Sequence, residues 1–250
     1  MTKILICGSS GKMGKAVFEA VERTENVEVI CGVDAFSKGD LSFKEYKSFD
    51  DVNEIPDVVV DFSNPVNLDS MYDFCKKNSV PAVICTTGFS AEQVEKINEL
   101  SKFVPVFYSG NMSLGVNLLI ELSKKATAVF GSAFDIEIIE KHHNQKIDAP
   151  SGTALMIADA ISEVMDEDPQ YVYDRHAYRA KRKSNEIGIH AVRGGTIVGE
   201  HSVIFAGNDE VLTLTHQAQS KSLFATGAVS AAKFICGKEP GMYNMSDMLA

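Results

Sequence analysis

The chain has 250 residues, 45% hydrophobic and 23% charged, a balance near the globular average that excludes a disordered or fibrous protein and leaves room for one or two domains. Lysine and arginine number 24 against 34 aspartate and glutamate, and the net charge of −10 argues against non-specific binding to nucleic acid or to an anionic membrane. No apolar stretch reaches the ~20 residues a bilayer-spanning helix needs.

The five cysteines, Cys7, Cys31, Cys75, Cys85 and Cys236, are odd in number and form no C-x-x-C pair. Neither a disulfide framework nor a metal site is expected. Cys7, Cys31 and Cys85 sit in apolar runs and read as buried small hydrophobes. Met1 to Gly8 leads into a glycine loop with no signal-peptide cleavage site, so a cytoplasmic location is expected.

In chain order, Lys3 to Cys7 predicts a strand and Lys12 to Val21 a helix, with Met13, Ala16, Val17, Ala20 and Val21 at helical spacing. Val27 to Val33 and Asp57 to Phe62 predict two more strands. Asn64-Pro65 reads as an N-cap followed by a proline, opening a helix with Leu68, Met71, Tyr72 and Cys75 on one face. Pro81 to Cys85 is a fourth strand. Ser90 to Gln93 has capping-box spacing before a helix that turns Val94, Ile97 and Leu100 inward. Val104 to Phe107 is a fifth strand. Apolar strands alternating with helices predict a parallel sheet covered on both faces.

After about Asn111 the pattern changes. Leu114 to Phe130 predicts a long helix. Phe134 to Ile138 alternates apolar and acidic residues, as a strand with one wet face does. Ile187 to Val192, Ser202 to Ala206 and Val211 to His216 follow as strands, the last two flanking a hairpin signal at Gly207-Asn208-Asp209. An α+β unit with an antiparallel or mixed sheet is expected. Asp166 to Ser184 reads as a charged surface loop, with Arg179, Lys181, Arg182 and Lys183 as possible anion contacts but more simply solvated. Ser222 to Cys236 is helical again.

The first loop, Gly8-Ser9-Ser10-Gly11-Lys12-Met13-Gly14, is spaced G-x-x-G-x-x-G between a strand and a helix. Glycines there let a backbone approach a pyrophosphate at a helix N-terminus. Asp34 ends the second strand 20 residues after Gly14, where an acid takes the ribose hydroxyls of adenosine. Thr86-Thr87-Gly88 and Ser109-Gly110-Asn111-Met112 follow later strands and complete the candidate dinucleotide site. Asp34 favours NADH, whereas Lys38, helped by the Ser37 hydroxyl, could meet a 2′-phosphate. Both cofactors are expected to work, with NADH equal or preferred.

The densest polar segment runs from Glu140 to Ala154. His142 and Lys146 can each carry a proton, and the helix start at Pro150-Ser151-Gly152-Thr153 offers backbone N–H groups to a carboxylate. A small dicarboxylate suits this set. A His-His metal site lacks partner ligands, and a plain polar loop is the competing reading.

The run Ile138-Ile139-Glu140-x-His142-His143-x-x-Lys146-x-Asp148-Ala149-Pro150-Ser151-Gly152-Thr153-Ala154 resembles the signature of the 4-hydroxy-tetrahydrodipicolinate reductase family, formerly dihydrodipicolinate reductase. The glycine loop, Cys85 to Phe89, Asn111 to Asn117 and Gly195 to His201 extend the resemblance over nearly the whole chain. The resemblance implies a Rossmann-type dinucleotide-binding domain at 1–112 and 217–250, and a substrate-binding and oligomerisation domain at 113–216 that assembles a homotetramer. It implies NADH- or NADPH-dependent reduction of a cyclic imine dicarboxylate to tetrahydrodipicolinate, with net loss of water, in lysine and diaminopimelate biosynthesis. By the same resemblance His142 donates a proton, Lys146 is a second donor, and His143, Ser151, Gly152 and Thr153 hold substrate.

One departure is Cys85, where family members often carry glycine. It is expected to line the nicotinamide pocket without closing it. The alternatives are a sensor that binds NAD(P)H without turnover and a dehydrogenase for another small carboxylate.

Overall fold

The computed structural model describes all residues except Asp40, Ala177, Tyr178 and Ala250. The chain divides into two units, Met1–Leu114 with Ser222–Ala250, and Gly115–Lys221.

In the first unit the apolar runs become β1 (Thr2–Cys7), β2 (Val27–Val33), β4 (Val58–Asp61), β5 (Ala82–Ile84) and β6 (Pro105–Tyr108), joined by a short strand that no apolar run announces, β3 (Lys44–Tyr46). Between them lie α1 (Lys12–Glu22), α2 (Leu68–Asn78) and α3 (Ala91–Leu100). Asn64 does cap, its side chain accepting from Val66 N at 3.1 Å, but it opens a single 3-10 turn, Pro65–Asn67, ahead of α2. Ser90 and Gln93 form the expected reciprocal capping box.

Alternation along each strand feeds two cores. Ile4, Ile6, Val58 and Val60 face one layer, whereas Leu5 and Val59 face the other. All six are fully buried, each contributing ~1.5–3 kcal/mol of transfer free energy. A strand apolar on both sides is stable only with both faces covered.

In the second unit α4 (Leu114–Phe130) and α5 (Gly152–Ser162) pack on one face of a sheet. Its strands are β7 (Asp135–His142), β8 (Gln170–Val172), β9 (Glu186–Arg193), β10 (Gly199–Ala206) and β11 (Val211–Ala218). Their order is β11-β10-β7-β9-β8. The sheet is mixed: β10 runs antiparallel to β7 and β11, but β9 is parallel to β7 and to β8. Alternation on β7 reveals which face is wet but not the direction of a neighbour.

The segment read as an irregular loop contains β8. Arg182 there is not an anion ligand: it donates to Asp135 at 2.8 Å and Glu137 at 3.1 Å and to the carbonyl of Ile136 at 2.9 Å, tying the segment to β7.

The chain then returns to the first unit as α6 (Ser222–Ile235), β12 (Gly241–Tyr243) and α7 (Met245–Leu249). β12 pairs with β6, giving an all-parallel order β12-β6-β5-β4-β1-β2-β3. Small residues of α6, Ala225, Ala228, Ala231 and Ala232, are fully buried in the same layer as α1. At Gly227 an added Cβ would lie 1.7 Å from the Met112 carbonyl oxygen, so only glycine admits this approach. Strand order reverses beside β1, which leaves a crevice between the carboxyl ends of β1 and β4.

Candidate active site

At that crevice Gly8 has φ +82°, and a Cβ there would meet the Phe62 carbonyl oxygen at 2.7 Å. A Cβ on Gly14 would lie 2.2 Å from Gly8 O. The loop therefore folds tightly against the end of β4 and the first turn of α1. Gly11 caps α1 without a side-chain bond, and no acid lies in its first turn. Anionic groups are favoured at such a helix start.

Asp34 closes the other side of the loop, its Oδ2 accepting from Ser10 N at 3.1 Å and its Oδ1 from Phe36 N at 2.9 Å. A cavity of about 560 Å³ is lined by Gly8, Gly11, Asp34, Phe36, Ser63 and Asn64, among others. These residues fit a dinucleotide.

The remaining sequence candidates lie at carboxyl ends of strands of this sheet. Thr86 follows β5, and its Oγ1 accepts from Ser63 N at 2.9 Å. Thr87 is exposed, as are Lys12 and Lys38. Ser109, Gly110 and Asn111 follow β6, with Ser109 Oγ donating to the Asn111 carbonyl at 3.0 Å.

Several candidate side chains serve the fold instead of facing the crevice. Ser9 is fully buried and donates to Glu45 at 2.6 Å. Met13, Cys85 and Met112 pack in the α1/α6 core. The Cys85 thiol is pushed up by burial and then by the nearby Asp61 carboxyl. Ser37 is likewise committed, donating to Glu45 Oε2 at 2.6 Å.

In the second unit, the period of β7 builds a buried polar cluster. Ile136, Ile138, Glu140 and His142 are its inward positions. Glu140 is fully buried, and a carboxylate in that register requires partners. Register supplies them: His142 lies opposite Arg193 on β9, and Glu140 opposite His201 on β10.

Arg193 grips Glu140 with Nη1 to Oε2 and Nη2 to Oε1, both at 2.7 Å. Glu140 Oε2 also lies 2.6 Å from His142 Nδ1, and Oε1 accepts from Ser151 N at 3.0 Å. Burial raises the Glu140 carboxyl, but the bonds from Arg193, His142 and Ser151 outweigh it and hold the group below its usual range. An ionised Glu140 makes His142 Nδ1 the donor, which leaves Nε2 outside that bond. A Cβ on Gly199 would lie 3.1 Å from that Nε2, so glycine keeps the approach open.

Ser151 caps α5 by accepting from Ala154 N at 3.1 Å, and its Oγ lies 2.9 Å from His201 Nε2. The His201 imidazole is pushed down to about 4 by burial, then by the neighbouring His142 charge, so it is neutral and accepts the seryl proton. The Ser151 amide and hydroxyl are thus engaged with Glu140, Ala154 and His201. Gly152 and Thr153 are the first residues of α5. Lys146 Nζ pairs with Asp148 at 2.9 Å, and half-buried His143 accepts at its carbonyl from Lys146 N at 3.2 Å.

Sequence reasoning assigned no role to Glu140, Arg193 or His201. Glu140 carried a signal, an acid on the apolar register of a strand. Arg193 carried none, because its pairing depends on β9 lying parallel to β7.

The dihydrodipicolinate reductase N-terminal family pattern matches residues 2–112, and the C-terminal pattern matches 115–249. The chain is 51% identical to the 4-hydroxy-tetrahydrodipicolinate reductase of Caldanaerobacter subterraneus subsp. tengcongensis and 47% identical to that of Clostridium novyi. Each alignment covers 100% of this chain and 98% of the relative. Among solved structures, the dipicolinate-bound dihydrodipicolinate reductase from Paenisporosarcina sp. TG-14 superposes with TM-score 0.83 at 27% identity, covering 98% of this chain and 97% of that one. The paired Rossmann and mixed-sheet units, the buried Glu140–His142 centre and these matches lead to one conclusion: the chain belongs to the 4-hydroxy-tetrahydrodipicolinate reductase family.

Proposed function

We propose that this protein reduces 4-hydroxy-tetrahydrodipicolinate, by way of the cyclic imine dihydrodipicolinate, to tetrahydrodipicolinate with loss of water, in lysine and diaminopimelate biosynthesis. The observation that carries the reading is the Glu140–His142 pair, bracketed by Arg193 and set beside the start of α5. A sensor that binds NAD(P)H without turnover has no need of an oriented proton donor.

The backbone of Gly8 to Met13, with Asp34, Thr86, Thr87 and the Ser109–Met112 segment, would hold a nicotinamide dinucleotide, which when bound would supply a hydride to C4 of the imine. Electron density is then pushed to the far end of the conjugated system. His142 delivers the proton that quenches it from Nε2, and Glu140 stabilises the imidazolium form before transfer. Lys146 exchanges its Asp148 partner for substrate carboxylate and acts as a second donor. The amides that open α5 at Gly152 and Thr153, together with His143, hold the other carboxylate.

Assembly as a homotetramer through the mixed sheet belongs to the same proposal. It is supported by β11 at an open sheet edge, where Val211 and Leu212 are exposed. Among the described residues no helix is long and apolar enough to cross a membrane, and all five cysteines are free. Free thiols support a cytoplasmic place for the reaction.

NAD(P)H oxidation with aspartate semialdehyde, pyruvate and the synthase that condenses them is the test. His142→Gln and Lys146→Ala are expected to lower turnover by ~10²–10⁴-fold with little change in NADH affinity, and Lys146→Ala also raises the substrate KM. Near-wild-type turnover in both variants sinks the assignment. Oxidation only with a different small carboxylate points to another dehydrogenase.

A further inference from the structure

Glu45 lies on β3, a strand so short that its side-chain period is unreadable in sequence. Pairing of β3 with β2 sets Gly32 opposite Glu45. The Glu45 carboxylate joins two loops. Ser9 Oγ and Ser10 Oγ, from the glycine loop, donate to Oε1 at 2.6 and 2.9 Å. Ser37 Oγ, from the loop after Asp34, donates to Oε2 at 2.6 Å and itself accepts from Gly39 N at 3.1 Å. Burial acts to raise this carboxyl, but the hydroxyls of Ser37, Ser9 and Ser10 prevail and hold it below its usual range. Glu45 is therefore an anion at neutral pH.

The arrangement is tight on its inner side. A Cβ on Gly32 would lie 2.6 Å from Ser9 Cβ and Oγ, so Ser9 packs directly on β2.

The same two loops flank the acid that meets an adenosine ribose, since Asp34 accepts from Ser10 N. In NADP-binding sites of this fold a 2′-phosphate is received here by donors, commonly including an arginine. No arginine lies between Asp34 and Tyr46. The hydroxyls of Ser10 and Ser37 already hold the chain's own carboxylate. Lys38 is exposed, where salt screens its attraction for phosphate.

We propose that Glu45 is a cofactor-specificity residue, an internal anion that occupies the seryl cradle a 2′-phosphate would use and so selects NADH over NADPH. Ribose hydroxyls remain free to pair with Asp34. A phosphate has to displace Glu45 from three hydroxyls or lie against its charge, and either outcome weakens binding. The inference rests on the cofactor placement proposed above.

Binding to the full chain decides it, without turnover. NADH and NADPH are titrated calorimetrically into wild type, Glu45→Gln, Glu45→Asp and Ser37→Ala. Adenosine 2′,5′-bisphosphate and adenosine 5′-monophosphate serve as competitors that isolate the extra phosphate. Wild type is expected to bind NADH more tightly than NADPH. Removing one charge beside a phosphate at a half-buried site corresponds to about tenfold, so Glu45→Gln should tighten NADPH and the bisphosphate by about that factor. NADH should shift by less than about threefold. Glu45→Asp and Ser37→Ala keep the charge and should keep the discrimination against NADPH.

A folded Glu45→Gln that binds NADH normally with an unchanged NADPH/NADH ratio overturns the proposal. Equal weakening of both cofactors also overturns it, because Glu45 is then only a brace between loops. Absence of NADH binding to wild type overturns the cofactor placement itself, and the proposal with it.

Discussion

Replacing Glu140 by glutamine tests whether the buried carboxylate directs the chemistry of His142 or only holds the sheet together. The side chain keeps its shape but loses its charge and turns one oxygen into an N–H donor. Four donors now share the two oxygens: Arg193 Nη2 and Ser151 N on Oε1, and Arg193 Nη1 and His142 Nδ1 on Oε2. A glutamine that keeps its oxygen toward Ser151 turns its amide toward Arg193 Nη1 and His142 Nδ1. His142 can relieve the conflict by accepting at Nδ1, which makes it the neutral Nε2–H tautomer with no anion behind it.

Each buried donor left unmatched costs about 1–3 kcal/mol, and the side chains of Arg193 and His142 are 19% and 11% exposed, so a total loss of about 2–4 kcal/mol in stability is expected. The larger effect is on turnover. Without Glu140 the imidazolium form has lost its counter-charge, so kcat should fall by ~10²–10⁴-fold, as for loss of the general acid itself. NADH affinity should hold, because the proposed cofactor residues belong to the other unit. Steady-state kinetics in the coupled assay, urea unfolding and NADH titration read the three quantities separately. A folded variant that keeps kcat within about threefold while losing stability refutes a directing role and leaves Glu140 structural.

Two further outcomes follow from the geometry. Gly14→Ala sets a Cβ 2.2 Å from Gly8 O and 2.7 Å from Ser9 Cα, so NADH affinity should fall by more than about tenfold while the second unit keeps its affinity for a planar 2,6-dicarboxylate; unchanged NADH affinity would remove the glycine loop from the site. His201, lowered to about 4 by burial and by the charges of His142, His216 and Lys146 against the opposing Glu140, stays neutral in the folded protein while the unfolded chain takes its proton near pH 6.5. The unfolded state binds more protons between those values, so this group's contribution of order 3 kcal/mol is lost as pH falls from about 6.5 to about 4. His216, also lowered by burial, acts in the same direction, whereas Glu137 and Glu140, held below the usual carboxyl range, lose their contributions as pH falls further. The gap between urea midpoints at pH 7 and pH 5 should narrow in His201→Gln, and an equal drop in wild type and variant would show that His201 is not the titrating group.

How much of this was legible in the sequence varies with the range of the interaction that decides each feature. Local signals were sufficient for the Ser90–Gln93 capping box, for α4 and for the strand–glycine–helix start, because each is set by neighbours a few residues apart. The dense polar segment from Glu140 to Ala154 was legible for the same reason: β7, the loop and the start of α5 are contiguous in the chain.

Other features depend on which strand lies beside which, and local pattern does not carry that information. β3 and β12 are three residues each and exist only because β2 and β6 offer an edge. The parallel pairing of β9 with β7 delivers Arg193 to Glu140, and the antiparallel pairing of β10 delivers His201. The roles of the serines changed for the same reason. Ser9, Ser37 and Ser151 looked available for ligands as residues in polar loops. Each hydroxyl instead satisfies a buried or half-buried group brought from elsewhere, Glu45 for the first two and His201 for the third. Residue type and spacing determined which atoms could do chemistry. Tertiary pairing decided which of those atoms remain available for it, since a buried polar group must be satisfied by whatever strand arrives beside it.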